Sequence, residues 1–373
     1  MASRLSLLIT SVAVLAASGC SDNSEPAISA VEEAVPGYLE RLHAPGMAVA
    51  VIRNGELVWA EGFGLTGVEA DSAPVTHRTV FEFASLSKPV FAAIAAGQAQ
   101  EGVYDLDEPL GPAADFPRIA DPEAFTSVTP RMILSHGTTL PNWADEAGGP
   151  LEFSGTPGSR FRYSGEAYGL LQSMLERRTR ASLEALLEPL AAEAGMTDAH
   201  YAAGEAGAAD PVMAVNRDGS VRPRRDAAEG HAAASLTASV FDYGRFVAWL
   251  LDDEQDDLRE TLFTPTRPVA WDAFGREGEM PEGVEIDWGL GWGLYRENGR
   301  RIAFHWGDNG AFKSFVAIDI DRRDAIVYAA NGWDGLCVAV PLAEPVVGDV
   351  GTITDWLNYS RIDSGSPVCP DRE

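Results

Sequence analysis

The sequence predicts an α+β protein of two lobes: an antiparallel sheet domain built from both chain ends and flanked by helices, with an all-helical domain inserted between its halves. Three observations carry the prediction. Near the N-terminus the apolar runs Gly46–Arg53 and Glu56–Gly64 are separated by Asn54-Gly55, the strongest short hairpin signal. From Trp288 onward strand-like runs return, at 289–295, 301–305, 314–319 and 325–330. Between 105 and 251 the pattern is mainly helical with loops rich in Gly and Pro, and 181–194 and 240–251 are its clearest helices.

In chain order, Met1-Ala2-Ser3-Arg4 carries one positive charge, and the apolar run over 5–17 that follows is too short to span a membrane comfortably. Residues 1–20 therefore read as a secretory signal. Its end, Ala16-Ala17-Ser18-Gly19-Cys20, resembles the bacterial lipoprotein processing box, with Ala17 where leucine is usual, so Cys20 is a lipidation candidate and ordinary secretion the alternative. The expected location is the periplasm, free or anchored to the membrane by an N-terminal lipid. Residues 21–27 read as a polar tether and 28–42 as an amphipathic helix interrupted at Pro36-Gly37. The folded domain is expected over 28–360, with a sheet lobe at 28–104 and 252–360, a helical lobe at 105–251, and a tail at 361–373.

A chain of 373 residues with 46% hydrophobic content can bury a large core. Its net charge of −28 argues against nucleic acid, because phosphate binding needs a basic surface. With Cys20 assigned to lipid, Cys337 and Cys369 either form a bond that pins the tail or remain one buried and one tail thiol. Their spacing matches no zinc pattern, the six histidines are scattered, and no metal or cofactor is expected.

The chemistry centres on Phe81-Glu82-Phe83-Ala84-Ser85-Leu86-Ser87-Lys88-Pro89. Ser85 and Lys88, three residues apart, would share one face of a first helical turn, and Pro89 belongs near a helix start. Free N–H groups there favour negative charge on the serine oxygen, and the lysine can take or relay its proton. Only Lys88 and Lys313 occur among the 28 basic residues, which makes the pairing more specific than its length suggests. The plain alternative is an N-cap serine followed by a solvated lysine.

Several stretches together resemble the serine β-lactamase-related hydrolases, the group of class C β-lactamases, D-alanyl-D-alanine carboxypeptidases, D-amino-acid peptidases and β-lactamase-like esterases. Ser85-Leu86-Ser87-Lys88 resembles the first motif, the run around His136 a landmark loop, Tyr163-Ser164-Gly165 the second motif Tyr-x-Asn, and His305-Trp306-Gly307 the third. The resemblance implies a β-lactamase/transpeptidase-like fold with Ser85 as nucleophile, Lys88 as a cation beside it and Tyr163 as general base. It also implies an oxyanion hole from the Ser85 and Asp308 N–H groups, and substrate contacts from His305, Trp306, Gly307, Asp308 and Gly165. His136 is expected to brace its loop. Two departures limit the inheritance. Gly165 stands where asparagine contacts an acylamide side chain, and His305 replaces a lysine whose charge is not guaranteed in an imidazole.

The expected protein is an exported serine hydrolase cleaving a small ester, amide or D-peptide through an acyl-enzyme. A class C-like β-lactamase or carboxypeptidase is the alternative within the class, and a non-catalytic lipoprotein binding cell-wall peptides the alternative outside it. An α/β-hydrolase is excluded because no Gly-x-Ser-x-Gly occurs.

Overall fold

The computed structural model describes residues 25–144, 149–202, 211–274, 278–359 and 362. Cys20, Cys369, the signal segment and all of the tail except Ile362 lie outside the described residues. The main elements are helix α1 (Glu25–Leu42), strands β1 (Gly46–Arg53) and β2 (Glu56–Gly64), and helices α2 (Ser87–Gln100), α3 (Gly165–Thr179), α4 (Leu183–Ala194), α5 (Val240–Leu250) and α6 (Asp256–Phe263). Strands β3 (Arg267–Pro268), β4 (Val284–Trp288), β5 (Gly293–Glu297), β6 (Arg300–Asp308), β7 (Lys313–Asp319) and β8 (Asp324–Ala330) follow, and then helix α7 (Ala339–Val347). The fold is the predicted α+β arrangement.

The eight strands form one antiparallel sheet in the order β2-β1-β8-β7-β6-β5-β4-β3. Pairing of β1 with β8 joins the two chain ends, so the sheet closes only after the helical segment between them has been made. The β1–β2 hairpin turns at Asn54 and Gly55 with φ of 51° and 84°, the pair of left-handed residues that a two-residue turn of this hand requires. Alternation along β1 gives both faces a core. Ala48, Ala50 and Ile52 join the cluster containing α2 and α5, while Met47, Val49 and Val51 join α1 and α7.

Some elements differ from the sequence expectation. Helix α1 starts at Glu25, inside the expected tether, and runs through Pro36 without a break. Pro36 and Gly37 lie on its exposed face, where water can take the hydrogen bond that proline cannot make, and Val31, Val35, Leu39 and Leu42 keep the buried stripe continuous. Helix α5, placed by sequence at the end of the helical lobe, lies against β1, β2 and β8. Gly244 permits this, since a Cβ there would sit 3.0 Å from Leu57 and 3.2 Å from Ala50. Residues 289–292, expected within a strand, form the turn between β4 and β5, with Gly291 at φ 81°. Among the described residues no helix is long and apolar enough to cross a membrane. Cys337, buried just before α7, is disulfide-bonded.

Candidate active site

Ser85 sits in a tight 3-10 turn, Ala84–Leu86, that leads directly into α2, so the first-turn placement expected from Pro89 is what the backbone adopts. Ala84 is held at φ 50°, a conformation that costs a residue with a Cβ about 1–3 kcal/mol and persists only when neighbours enforce it. They do. Phe83 N–H donates to the Leu236 carbonyl (2.9 Å), Leu236 N–H to Ser87 Oγ (2.9 Å), and the Tyr243 and Tyr201 hydroxyls to the carbonyls of Leu86 (3.0 Å) and Ser87 (2.6 Å).

Gly307 is the other half of this frame. A Cβ there would meet the Phe83 carbonyl at 2.3 Å and Ser314 Oγ at 2.1 Å. The resemblance implies a substrate contact at this glycine, and the structure shows what else its missing side chain does. Its absent side chain lets β6 press against the turn that carries the nucleophile, and Ser314 Oγ donates to the Phe83 carbonyl (2.8 Å) in the space left.

Lys88 is fully buried, with Nζ 3.1 Å from Ser85 Oγ and 2.8 Å from the Ala233 carbonyl. Burial pushes its pKa well below that of an ordinary amine, because a charged ammonium is poorly solvated there. Tyr163 places its ring 4.7 Å from Lys88 Nζ. Its hydroxyl is buried with no hydrogen bond of good geometry, and burial raises its pKa, offset in part by the nearby Ser85 hydroxyl. The two shifts run in opposite directions and share a consequence: both groups are driven toward their neutral forms.

Of the other expected residues, His136 accepts the Ser164 N–H on Nδ1 (3.1 Å) and lies against the Tyr163 ring (centroids 4.2 Å apart), so it does brace the tyrosine loop. His305 is fully buried, takes the Trp306 N–H on Nδ1 (2.9 Å), and is held down to about 3 by burial and then by the Lys88 charge. It is a neutral imidazole at neutral pH. Trp306 stacks on His305 and tilts against Tyr163, each at 5.1 Å. The Asp308 carboxylate pairs with Lys313 Nζ (2.5 Å) and accepts the Tyr359 hydroxyl (2.6 Å). Gly165 opens α3 in helical conformation and has the Trp143 indole lying over it.

Sequence reasoning missed three parts of the site. Glu82, 3% exposed, accepts both Arg222 guanidinium nitrogens (2.6 and 3.1 Å), the Arg225 N–H (2.7 Å) and the Asn309 amide (2.9 Å). This clamp ties the β6–β7 turn to the strand leading into Ser85. Ala233, the carbonyl partner of Lys88, and the Trp143–His231 pair complete the rim. The only local signal was a glutamate set between two phenylalanines. Among the described residues no group of three or more His, Cys, Asp or Glu could hold a metal ion.

A family model described as beta-lactamase matches residues 31–340. The chain is 32% identical over 118 residues to human serine beta-lactamase-like protein LACTB, covering 31% of this chain and 21% of LACTB. It is 29% identical over 244 residues to esterase EstB of Burkholderia gladioli, covering 54% of this chain and 60% of EstB. The chain thus spans about a fifth and three fifths of these two relatives. A class C beta-lactamase structure superposes with a TM-score of 0.69 at 17% identity, over 84% of this chain and 95% of that one, a likeness of fold.

Proposed function

The chain belongs to the beta-lactamase family, and from that premise we propose that it is an exported serine hydrolase that cleaves uncharged carboxylic esters and amides through an acyl-enzyme on Ser85. One observation carries the proposal: a fully buried lysine, its pKa lowered by desolvation, lies 3.1 Å from a serine oxygen on a strained turn. In the neutral form the Lys88 amine donates to the Ala233 carbonyl and keeps its lone pair for the Ser85 proton. Serine Oγ then bonds the carbonyl carbon as its proton passes to Lys88, and negative charge on the carbonyl oxygen meets the N–H groups of the Ser85 turn and the β6 end. Tyr163, kept protonated by burial, donates to the leaving oxygen or nitrogen and recovers a proton from Lys88. Water repeats the sequence on the acyl carbon, and Oγ leaves with the Lys88 proton. Relative to the roles implied by resemblance, the base is Lys88 and Tyr163 is the acid.

The same electrostatics favour uncharged substrates. His305 is neutral, Asp308 is an anion at the end of β6, and Lys313 is already paired with it. A substrate carboxylate, as in a β-lactam or a D-alanyl-D-alanine terminus, therefore meets an acid where a free cation would suit it. Export rests on the N-terminal signal pattern, and the disulfide at Cys337 suits an oxidising compartment.

The test is a panel of short-chain p-nitrophenyl esters, a chromogenic cephalosporin and D-alanyl peptides, run on wild type and Ser85→Ala with fluorophosphonate labelling. Ester turnover and a label on Ser85 are expected, both lost in Ser85→Ala. Cephalosporin turnover matching that of the best ester would move the protein to the β-lactamase side, and ester hydrolysis persisting within about tenfold in Ser85→Ala would remove the nucleophile assignment.

A further inference from the structure

Trp143 is the one exposed large aromatic among the described residues, with 47% of its surface open to solvent. Its backbone is nevertheless tied down on both sides. The Asn142 carbonyl accepts the N–H groups of Gly165 (2.9 Å) and Glu166 (3.0 Å), and Ala144 N–H donates to Glu166 Oε1 (2.9 Å). Arg118 in turn holds the Glu166 carboxylate through two bonds, at 2.9 and 3.1 Å. An exposed indole on so fixed a backbone is a preorganised surface.

Gly165 is built around that indole. A Cβ at 165 would lie 2.6, 2.8 and 2.9 Å from Trp143 Cη2, Cζ2 and Cζ3, so any side chain there displaces the ring. Since residue 165 has ordinary helical backbone, glycine is not needed for its φ; it is needed for the ring. The ring edge then meets His231 (centroids 5.5 Å, interplanar angle 63°), whose Nδ1 accepts the N–H of Ala233, the residue whose carbonyl holds Lys88. The aromatic pair therefore stands one residue away from the proposed base.

Resting on the acyl-enzyme reading above, we propose that the Trp143 indole, backed by His231, is the platform that receives the acyl group of the substrate and selects flat, aryl-bearing acyl groups. The assignment to the acyl side rests on the mechanism above and on the path from Trp143 through His231 and Ala233 to Lys88. Of the three substituents on the attacked carbon, the oxygen turns to the N–H groups of the Ser85 turn and β6, and the leaving atom to Tyr163. The acyl substituent is left with the rim where Trp143 stands. An offset or edge contact with an aryl ring suits an indole open on one face.

The experiment compares p-nitrophenyl phenylacetate with p-nitrophenyl acetate, which share a leaving group. Trp143→Ala should lower the phenylacetate-to-acetate ratio of kcat/KM roughly tenfold. Gly165→Ala, which drives a Cβ into the ring's place, should lower it too, and Trp143→Leu serves if the alanine variant melts early. A ratio within about twofold of wild type in folded Trp143 and Gly165 variants overturns the proposal, as does a loss that follows the leaving group in a series of acetyl esters. Fluorophosphonate labelling separates the two levels. No label on wild type Ser85 removes the acyl-enzyme reading and the platform with it, whereas labelling intact with an unmoved ratio removes the platform alone.

Discussion

The proposed base makes a prediction whose sign is decided by the structure. Lys88 is fully buried and its pKa is lowered by desolvation, so half-deprotonation occurs at a lower pH than for an ordinary amine. If the neutral amine accepts the Ser85 proton, kcat/KM for a neutral ester rises as pH increases through that lowered pKa and levels off above it. If the residue served only as a cation beside the serine oxygen, activity would instead fall as pH increased through the same value. Lys88→Gln removes the base while its amide can still donate to the Ala233 carbonyl, which isolates proton transfer from packing. General-base catalysis contributes about 10²–10⁴ in rate, or roughly 3–5 kcal/mol of barrier, so the variant should lose that much and should also lose the rising limb. The assay is initial-rate hydrolysis of p-nitrophenyl acetate from pH 5 to 10, corrected for spontaneous hydrolysis, with thermal melts at each pH. A limb that descends over the lowered lysine pKa, or one that survives in Lys88→Gln, would refute the assignment and return the base role to Tyr163.

Three further outcomes follow from individual contacts. Resemblance alone suggests that Gly165→Asn should raise cephalosporin turnover, but the new Cβ would lie 2.6 Å from Trp143 and compete with the indole for the same space, so nitrocefin kcat/KM should not rise unless Trp143→Ala makes room; a rise in the single variant contradicts this. Asp308→Asn removes an anion beside the β6 end and leaves Lys313 without its ion-pair partner, so the preference for a D-alanyl-D-alanine peptide over its C-terminal amide should increase by about 1 kcal/mol, roughly fivefold, and an unchanged preference speaks against charge exclusion. Non-reducing peptide mapping of envelope-derived protein should join Cys337 to Cys369, and finding both alkylated without prior reduction rules the link out.

What the sequence made legible is what neighbouring residues decide. Asn54-Gly55 can hardly turn any way but through two positive φ angles, and that sets the pairs beside the turn, Arg53 with Glu56 and Ile52 with Leu57; a bulge then shifts the register by one residue, so that Val51 meets Trp59. Ser85 and Lys88 are three apart on one turn, so their contact needed no tertiary knowledge. Two missed elements carry weak or contradictory local signals. Strand β4 alternates buried and open positions from Val284, but it is only five residues long and set among acids and glycines, and it lies ahead of the first run, 289–295, that the sequence marks as strand. Helix α7 contains Pro341 and Pro345, residues that argue against a helix until one sees Val340, Leu342, Ala343, Val346 and Val347 buried against the sheet. The site departs from legibility for another reason: its tuning comes from burial and from distant partners. Arg222 reaches Glu82 across 140 residues, and the Ala233 carbonyl reaches Lys88 across 145. The motifs singled out the lysine and the tyrosine, and the fold brings them within 4.7 Å, but which of them carries the proton depends on how completely the fold excludes water from both. Desolvation pushes an amine down and a phenol up, so the more tightly the Ser85 turn is packed, the more the pair is biased toward a lysine base and a tyrosine acid.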